Sequence, residues 1–337
     1  MKSKVLRIIG LFVLGLVLLI AGLWASLAFF YSGPSNEIFR YALSLSFASI
    51  TFATLTALFF RRFRWQAFTA YTVLYLLFLA WYNTITPSNT RAWQEDVSTL
   101  AYVTKKENLY SFHNIRNFSY KSETDYIPAY YDKTYDLNKL IGIDIIAVYW
   151  MGPAVAHVFV SFSFSDGEHL AVSIETRKEQ GENYSTLKGF FRQYELYYVV
   201  ADERDVIGLR TNYRFDPQED VYVYPLYGSL DDARHLFLTY INQINTLKEN
   251  PKFYNTLTTN CTTNIWLNAT ASGGIREIPF SWKILASGYV PEYLYKHDRL
   301  YAQGLSFDAL TKQVYANDRA KAFGITKDFS KDIRHNE

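Results

Sequence analysis

The order of apolar and polar positions divides the chain into two unlike parts. Residues 8–30, 41–60 and 65–82 are three apolar stretches without a charged side chain. A helix needs roughly 20 apolar residues to cross the hydrocarbon layer, so three N-terminal transmembrane helices are expected. The first stretch is too long for a signal-peptide core and no convincing cleavage site follows it, which makes it a signal anchor. Trp65, Trp81 and Tyr82 stand at segment ends, where amphipathic rings favour the membrane interface. Lys2, Lys4 and Arg7 precede the first span, and Arg61, Arg62 and Arg64 lie between the second and third. The intervening loop has only Glu37 and Arg40. The positive-inside rule then puts the N-terminus in the cytoplasm and everything after Tyr82 outside. Residues 1–82 are expected to be a multi-pass membrane anchor, and residues 83–337 a single domain outside the cytoplasm.

Past residue 83 the apolar period changes. In residues 156–164, Val158, Val160 and Phe162 share one parity, and His157, Phe159 and Ser161 share the other. That alternation marks a half-buried strand. Ser165-Asp166-Gly167-Glu168 is a turn signal, and residues 170–176 read as the returning strand. Further strands are expected over 109–120, 141–150, 195–201 and 221–226. Residues 230–248 form an amphipathic helix with Ser229 as N-cap and Asp231 and Asp232 in its first turn. Residues 96–103 and 184–191 are read as short helical pieces, and residues 258–269 as another helix start. The fold class expected is α+β with an antiparallel sheet.

Composition changes this picture in two places. With 34 Lys+Arg against 32 Asp+Glu, the net charge of +2 gives no argument for nucleic acid. The single cysteine excludes an internal disulfide and a multi-cysteine metal site. No motif calls for a metal, nucleotide or other cofactor. An unpaired thiol outside the cytoplasm is exposed to oxidation, so it is either buried as a small apolar group or kept for chemistry.

That cysteine lies in Thr258-Thr-Asn-Cys261-Thr-Thr263. Thr and Asn are good N-cap residues, and Ile265, Trp266 and Leu267 follow, which places Cys261 in the first turn of a helix. Unpaired N–H groups and the helix dipole there favour a thiolate and could hold an oxyanion. A thiol nucleophile wants a base. His157 opens a strand directly after Gly152-Pro-Ala-Val-Ala156, small residues that let another element approach closely. It is taken as the base, with His113 and His169 as the alternatives; His235 reads as a surface residue, and His297 and His335 lie in polar segments. Glu175, on the returning strand, is the candidate to orient the imidazole. A two-residue loop at Asp166-Gly167 would put it opposite Val158, on the wrong face, whereas a three-residue loop brings it to the face of His157. Its competing structural reading is a salt bridge to Arg177, Arg192 or Arg210. Asn260 and Thr262 beside the thiol are candidate substrate contacts. So are Arg177 and Arg192, in the charged and aromatic run after the base strand.

These residues resemble a known family. The runs Gly152-Pro-Ala-Val-Ala-His157-Val-Phe-Val-Ser-Phe162, Ser173-Ile-Glu-Thr-Arg-Lys-Glu179, Phe190-Phe-Arg-Gln-Tyr-Glu-Leu196 and Leu257-Thr-Thr-Asn-Cys261-Thr-Thr-Asn264 are similar to the periplasmic domain of the Lnb-type bacterial lipoprotein N-acyltransferases, in the same order and over roughly residues 83–271. The resemblance implies a catalytic Cys and His, which fall on Cys261 and His157. It also implies transfer of a fatty acyl chain from a membrane phospholipid to the N-terminal amine of a lipoprotein. The His-before-Cys order further resembles circularly permuted papain-like thiol enzymes. Here the membrane spans precede the domain, whereas the family's named acyltransferases place the soluble domain first, so the acceptor stays open between a lipoprotein and another amine. The same residues would serve a cysteine peptidase or amidase acting on cell-wall peptide. A non-enzymatic lipid- or partner-binding domain is the third reading.

Overall fold

In the computed structural model, residues 2–271 and 278–334 are described; His335 lies outside them. The chain forms two compact units, one of Met1–Pro87 with Ser185–Gln193, the other of Ser88–Tyr184 with Tyr194–Glu337.

The first unit holds helices α1 (Lys2–Ser32), α2 (Glu37–Ala57) and α3 (Arg64–Asn83). Two of them are long and apolar enough to cross a membrane, over Val5–Ser32 and Glu37–Ala57. The third expected span does form a helix, α3, but Gln66, Thr69, Tyr71, Thr72 and Tyr75 make it less apolar, and it is not one of these two. Ser185–Gln193, far along the sequence, belongs to this unit. Phe191 stacks on Tyr31 with ring centroids 5.3 Å apart. Arg192 donates to the carbonyls of Tyr82 at 2.5 Å and Ile85 at 3.0 Å. The helix expected over 184–191 is reduced to a single 3-10 turn at Lys188–Phe190.

The second unit is built on a sheet of β1 (Tyr102–Lys106), β2 (Leu109–Arg116), β5 (Tyr130–Asp136), β6 (Leu140–Tyr149), β7 (Ala156–Phe164), β8 (His169–Arg177), β9 (Glu195–Ala201) and β10 (Asp220–Pro225). The small ribbon of β3 (Ser119–Tyr120) and β4 (Tyr126–Ile127) stands apart. The order is β1-β2-β9-β8-β7-β6-β10, with β5 also paired to β2. The sheet is mixed rather than purely antiparallel, because β2 meets β9 in parallel at Arg116 and Ala201. The helix expected over 96–103 is also corrected: a 3-10 turn at Glu95–Val97 leads instead into β1.

Alternation sorts the strand side chains onto two cores. Val158, Val160, Phe162, Leu170, Val172 and Ile174 face a layer containing α5 (Leu230–Glu249) and α6 (Cys261–Ala271). Phe159, Ala171, Tyr197 and Val199 face the opposite layer, with Val206 and Ile207 of α4 (Glu203–Asn212) and C-terminal residues such as Phe329. The result is a helix–sheet–helix sandwich. Ser229 caps α5 as expected, and Asp232 completes a capping box. Sequence periodicity missed α4, whose buried face includes the charged Glu203, Asp205 and Arg210; Asp205 is held by Arg116 at 2.8 Å and by the Phe118 N–H at 2.7 Å.

Candidate active site

Helix α6 begins where the local sequence says it must. The Asn260 side-chain oxygen accepts the Thr263 N–H at 2.7 Å, a side-chain cap on the first turn. Cys261 is therefore the first helical residue. Its thiol lies where the His157 imidazole and the backbone N–H groups of Val158 and Thr262 act on its charge.

The imidazole comes from β7, and the loop that follows decides what stands opposite it. Phe164 N–H donates to the Glu168 carbonyl at 2.9 Å and Gly167 N–H to the Phe164 carbonyl at 3.0 Å, so three residues, Ser165 to Gly167, make the turn. Gly167 takes φ +82°, a left-handed conformation that suits glycine. The register is then Val160 opposite Val172 and Ser161 opposite Ala171. Continued, it sets Glu175 across from His157, on the same face. The ladder itself stops at Val160 and Val172. Beyond it β7 stays paired with β6 as far as Ala156, and β8 stays paired with β9 as far as Arg177. The two strands part, and side chains bridge the opening.

His157 Nε2 lies 2.7 Å from Ser173 Oγ, and that hydroxyl donates to Glu175 Oε1 at 2.8 Å. The direct separation of His157 Nε2 and Glu175 Oε1 is 3.5 Å, so the shorter path runs through Ser173. Arg210 of α4 donates to the same carboxylate oxygen at 3.1 Å. His157, Ser173 and Glu175 have the parity of the α4 layer, whereas Cys261 packs against the α5–α6 core. Thiol and imidazole thus approach from opposite faces and meet where the sheet is open.

The electrostatics follow from these contacts. Burial alone would lower the His157 pKa, but its bonds to Cys261 and Glu175 push it up to about 9. Burial alone would raise the Cys261 pKa; the imidazole and the two backbone N–H groups outweigh it and hold the thiol below its ordinary value. Glu175 is held well below the usual carboxylate range, since His157 and Arg210 outweigh its desolvation. Both shifts act toward a thiolate–imidazolium pair backed by a carboxylate, the form in which cysteine is nucleophilic. The side chains of His157 and Glu175 remain 17% and 25% exposed, so the site is reachable.

The structure brings Cys261, His157 and Glu175 together, and it adds Ser173 and Arg210. Arg210 is the structural partner of Glu175, and by the same bond part of the site. The signal for Ser173 was its parity, two residues before Glu175 on one strand. Asn260 and Thr262 adjoin the thiol, but their side chains serve the helix start. Asn260 Nδ2 donates to Thr256, and the Thr262 hydroxyl to the Ile284 carbonyl at 2.5 Å. Arg177 is not in the cluster: it is buried, donates to the carbonyls of Val97 and Ser98, and lies 4.3 Å over the Trp93 ring. Arg192 belongs to the other unit. The small residues before His157 do admit a close approach, by a 3-10 turn at Ser287–Tyr289. Its Ser287 hydroxyl accepts the Ala156 N–H at 3.0 Å.

The two alternative histidines are engaged elsewhere. His113 bonds Asp132 at 2.6 Å and Thr104 at 3.1 Å. His169 lies with Asp144 and Glu203 in a group whose ligand atoms could suit a metal ion. There Arg334 already supplies the positive charge, 2.6 Å from each carboxylate.

A thiol, an imidazole, a bridging hydroxyl and a carboxylate, set on a helix start and two parting strands, define a thiol–imidazole site on an α+β domain. The family described as Lnb N-terminal periplasmic domain matches residues 126–288, a span that includes His157, Ser173, Glu175 and Cys261. That part of the chain belongs to this family. No curated protein and no solved structure matches the chain.

Proposed function

We propose that the protein is a membrane-anchored thiol acyltransferase. In this reading Cys261 takes a fatty acyl chain from a phospholipid and passes it to an amine, as at the N-terminus of a bacterial lipoprotein. The observation that carries it is Cys261 as the first residue of a helix, beside a His157 imidazole backed by Ser173 and Glu175. The family of residues 126–288 and the two N-terminal helices long enough to cross a membrane support a setting at the periplasmic surface. In the fuller form of the proposal α3 is a third span, the N-terminus is cytoplasmic, and the enzyme sits in the inner membrane. The helix-borne Cys facing a strand-borne His corresponds to a permuted papain-like arrangement.

The Cys261 thiolate attacks the ester carbonyl carbon, forming a C–S bond. The backbone N–H groups of Val158 and Thr262, which act on the thiol, stabilise the developing oxyanion in this reading. The C–O bond to glycerol breaks, His157 gives its proton to the leaving alkoxide, and lysophospholipid departs. An amine then attacks the thioester and passes a proton to the neutral His157. The C–S bond breaks and the thiolate is restored. Ser173 and Glu175 hold the ring orientation and stabilise the imidazolium.

The test is intact mass spectrometry of detergent-purified protein incubated with a defined phospholipid, beside Cys261→Ser. A hydroxylamine-labile acyl mass on the wild type alone is expected. A reactive thiol that gains no acyl mass, with cell-wall peptide cleaved instead, would replace this reading by the peptidase one.

A further inference from the structure

A pocket with a cavity volume of about 130 Å³ opens between α5 and α6 over β6. On α6 its wall is the stripe Thr262, Ile265, Trp266 and Ala269, spaced as one helical face. Ile265 is also four residues from Cys261, one turn below it on the same side. Ala233 and Leu236 of α5 face this stripe, and Ile143 and Ile145 of β6 form the floor. The mouth carries three exposed apolar side chains, Ile141 (54%), Tyr227 (60%) and Leu230 (47%).

The polar groups of the wall are already engaged. Ser229 and Asp232 form the α5 capping box, Thr262 donates to Ile284, and Tyr293 donates to Pro279 at 2.7 Å. A peptide entering here would bury backbone N–H and C=O groups without partners, at high cost. An alkyl chain has none to satisfy and gains by burial. From Thr262 to Ala269 the wall runs about 10 Å along the helix.

We propose that this pocket holds the acyl chain of the donor, and of the Cys261 thioester, with Ile265 as the link from the thiol and Ala269 limiting chain length. The proposal rests on the acyltransferase reading for its occupant, and its test does not depend on turnover. Full-length Cys261→Ser in lipid nanodiscs is irradiated with a phosphatidylcholine carrying a diazirine at the end of one acyl chain. Crosslinks in residues 262–269 and 233–236 are expected; crosslinks confined to the N-terminal helices would overturn the pocket assignment. In the Cys261-competent protein, Ala269→Phe should lower acyl-enzyme formation from a long-chain donor about tenfold relative to a short-chain one. Its rate of alkylation by iodoacetamide should not change. Equal losses for both chain lengths would also overturn the assignment. Crosslinks in the pocket without any acyl-enzyme would sink the acyltransferase reading and leave an alkyl-chain site. Acyl-enzyme without crosslinks there would do the reverse.

Discussion

Glu175 stands 3.5 Å from His157 across the opening between β7 and β8, and Ser173 spans them with two shorter hydrogen bonds. The carboxylate thus acts on the imidazole chiefly through a hydroxyl. That arrangement exists because the two strands stop pairing at Val160 and Val172. A continuous ladder would leave no gap for the thiol to reach the imidazole from the other face.

The thiolate–imidazolium pair fixes a pH dependence. Cys261 is lowered from 9.0 and His157 raised to about 9. The stabilisation from His157 is fully present below its unfolded value of about 6.5 and is lost as pH rises through about 9. That from Cys261 is present above 9.0 and is lost as pH falls through its lowered value. Both shifts favour the pair, so iodoacetamide should alkylate Cys261 with a pH profile displaced below that of an ordinary thiol. In His157→Ala only burial and the two N–H groups act on the thiol, so the profile should move to higher pH. The rate at pH 7 should drop by about tenfold or more. A superimposable profile would show that the imidazole does not activate the thiol.

Ser173→Ala and Glu175→Gln separate the two links to His157. Both should lower the His157 pKa, because each weakens what holds the imidazolium. Activity should fall within the range of about 10²–10⁴-fold spanned by acid–base catalysis, with Glu175→Gln the larger loss because it also removes the charge that Arg210 faces. Following the His157 ring by NMR titration checks the cause directly. An unmoved titration with lost activity would mean that the two residues act on something other than the imidazole.

Gly288 locks the segment that leads into β7. A Cβ there would meet the Pro153 carbonyl oxygen at 2.1 Å, and Tyr149 donates to the Gly288 carbonyl at 2.6 Å. Gly288→Ala should push the turn away from Ala154 and Ala156 and cost about 1–3 kcal/mol in thermal or chemical unfolding. Cys261 alkylation should slow with it, since His157 follows directly. An unchanged melting temperature with unchanged reactivity would show that the turn does not position the base.

The sequence by itself determined the elements whose causes are local. The apolar stretches before residue 83 became helices because length and apolarity suffice for that. Strand β7 followed from alternation, β8 from the turn signal before it, and the start of α5 from Ser229 and Asp232. Cys261 opens a helix because Asn260 can cap it. Tertiary structure decided what depends on distant partners. Helix α4 buries Glu203, Asp205 and Arg210, and a polar face inside a core has no apolar period to reveal it. From Ser185 on, the run expected to be helical is drawn into the helical unit, where Phe191 meets Tyr31 and Arg192 meets Tyr82. For Glu175, residue order allowed two faces, and only the three-residue turn closed by Phe164 and Glu168 chose one. The joining of Cys261 to His157 lay furthest from sequence. It needs two strands to part and a helix packed on one face to present its first residue to a side chain on the other, which no spacing along the chain encodes.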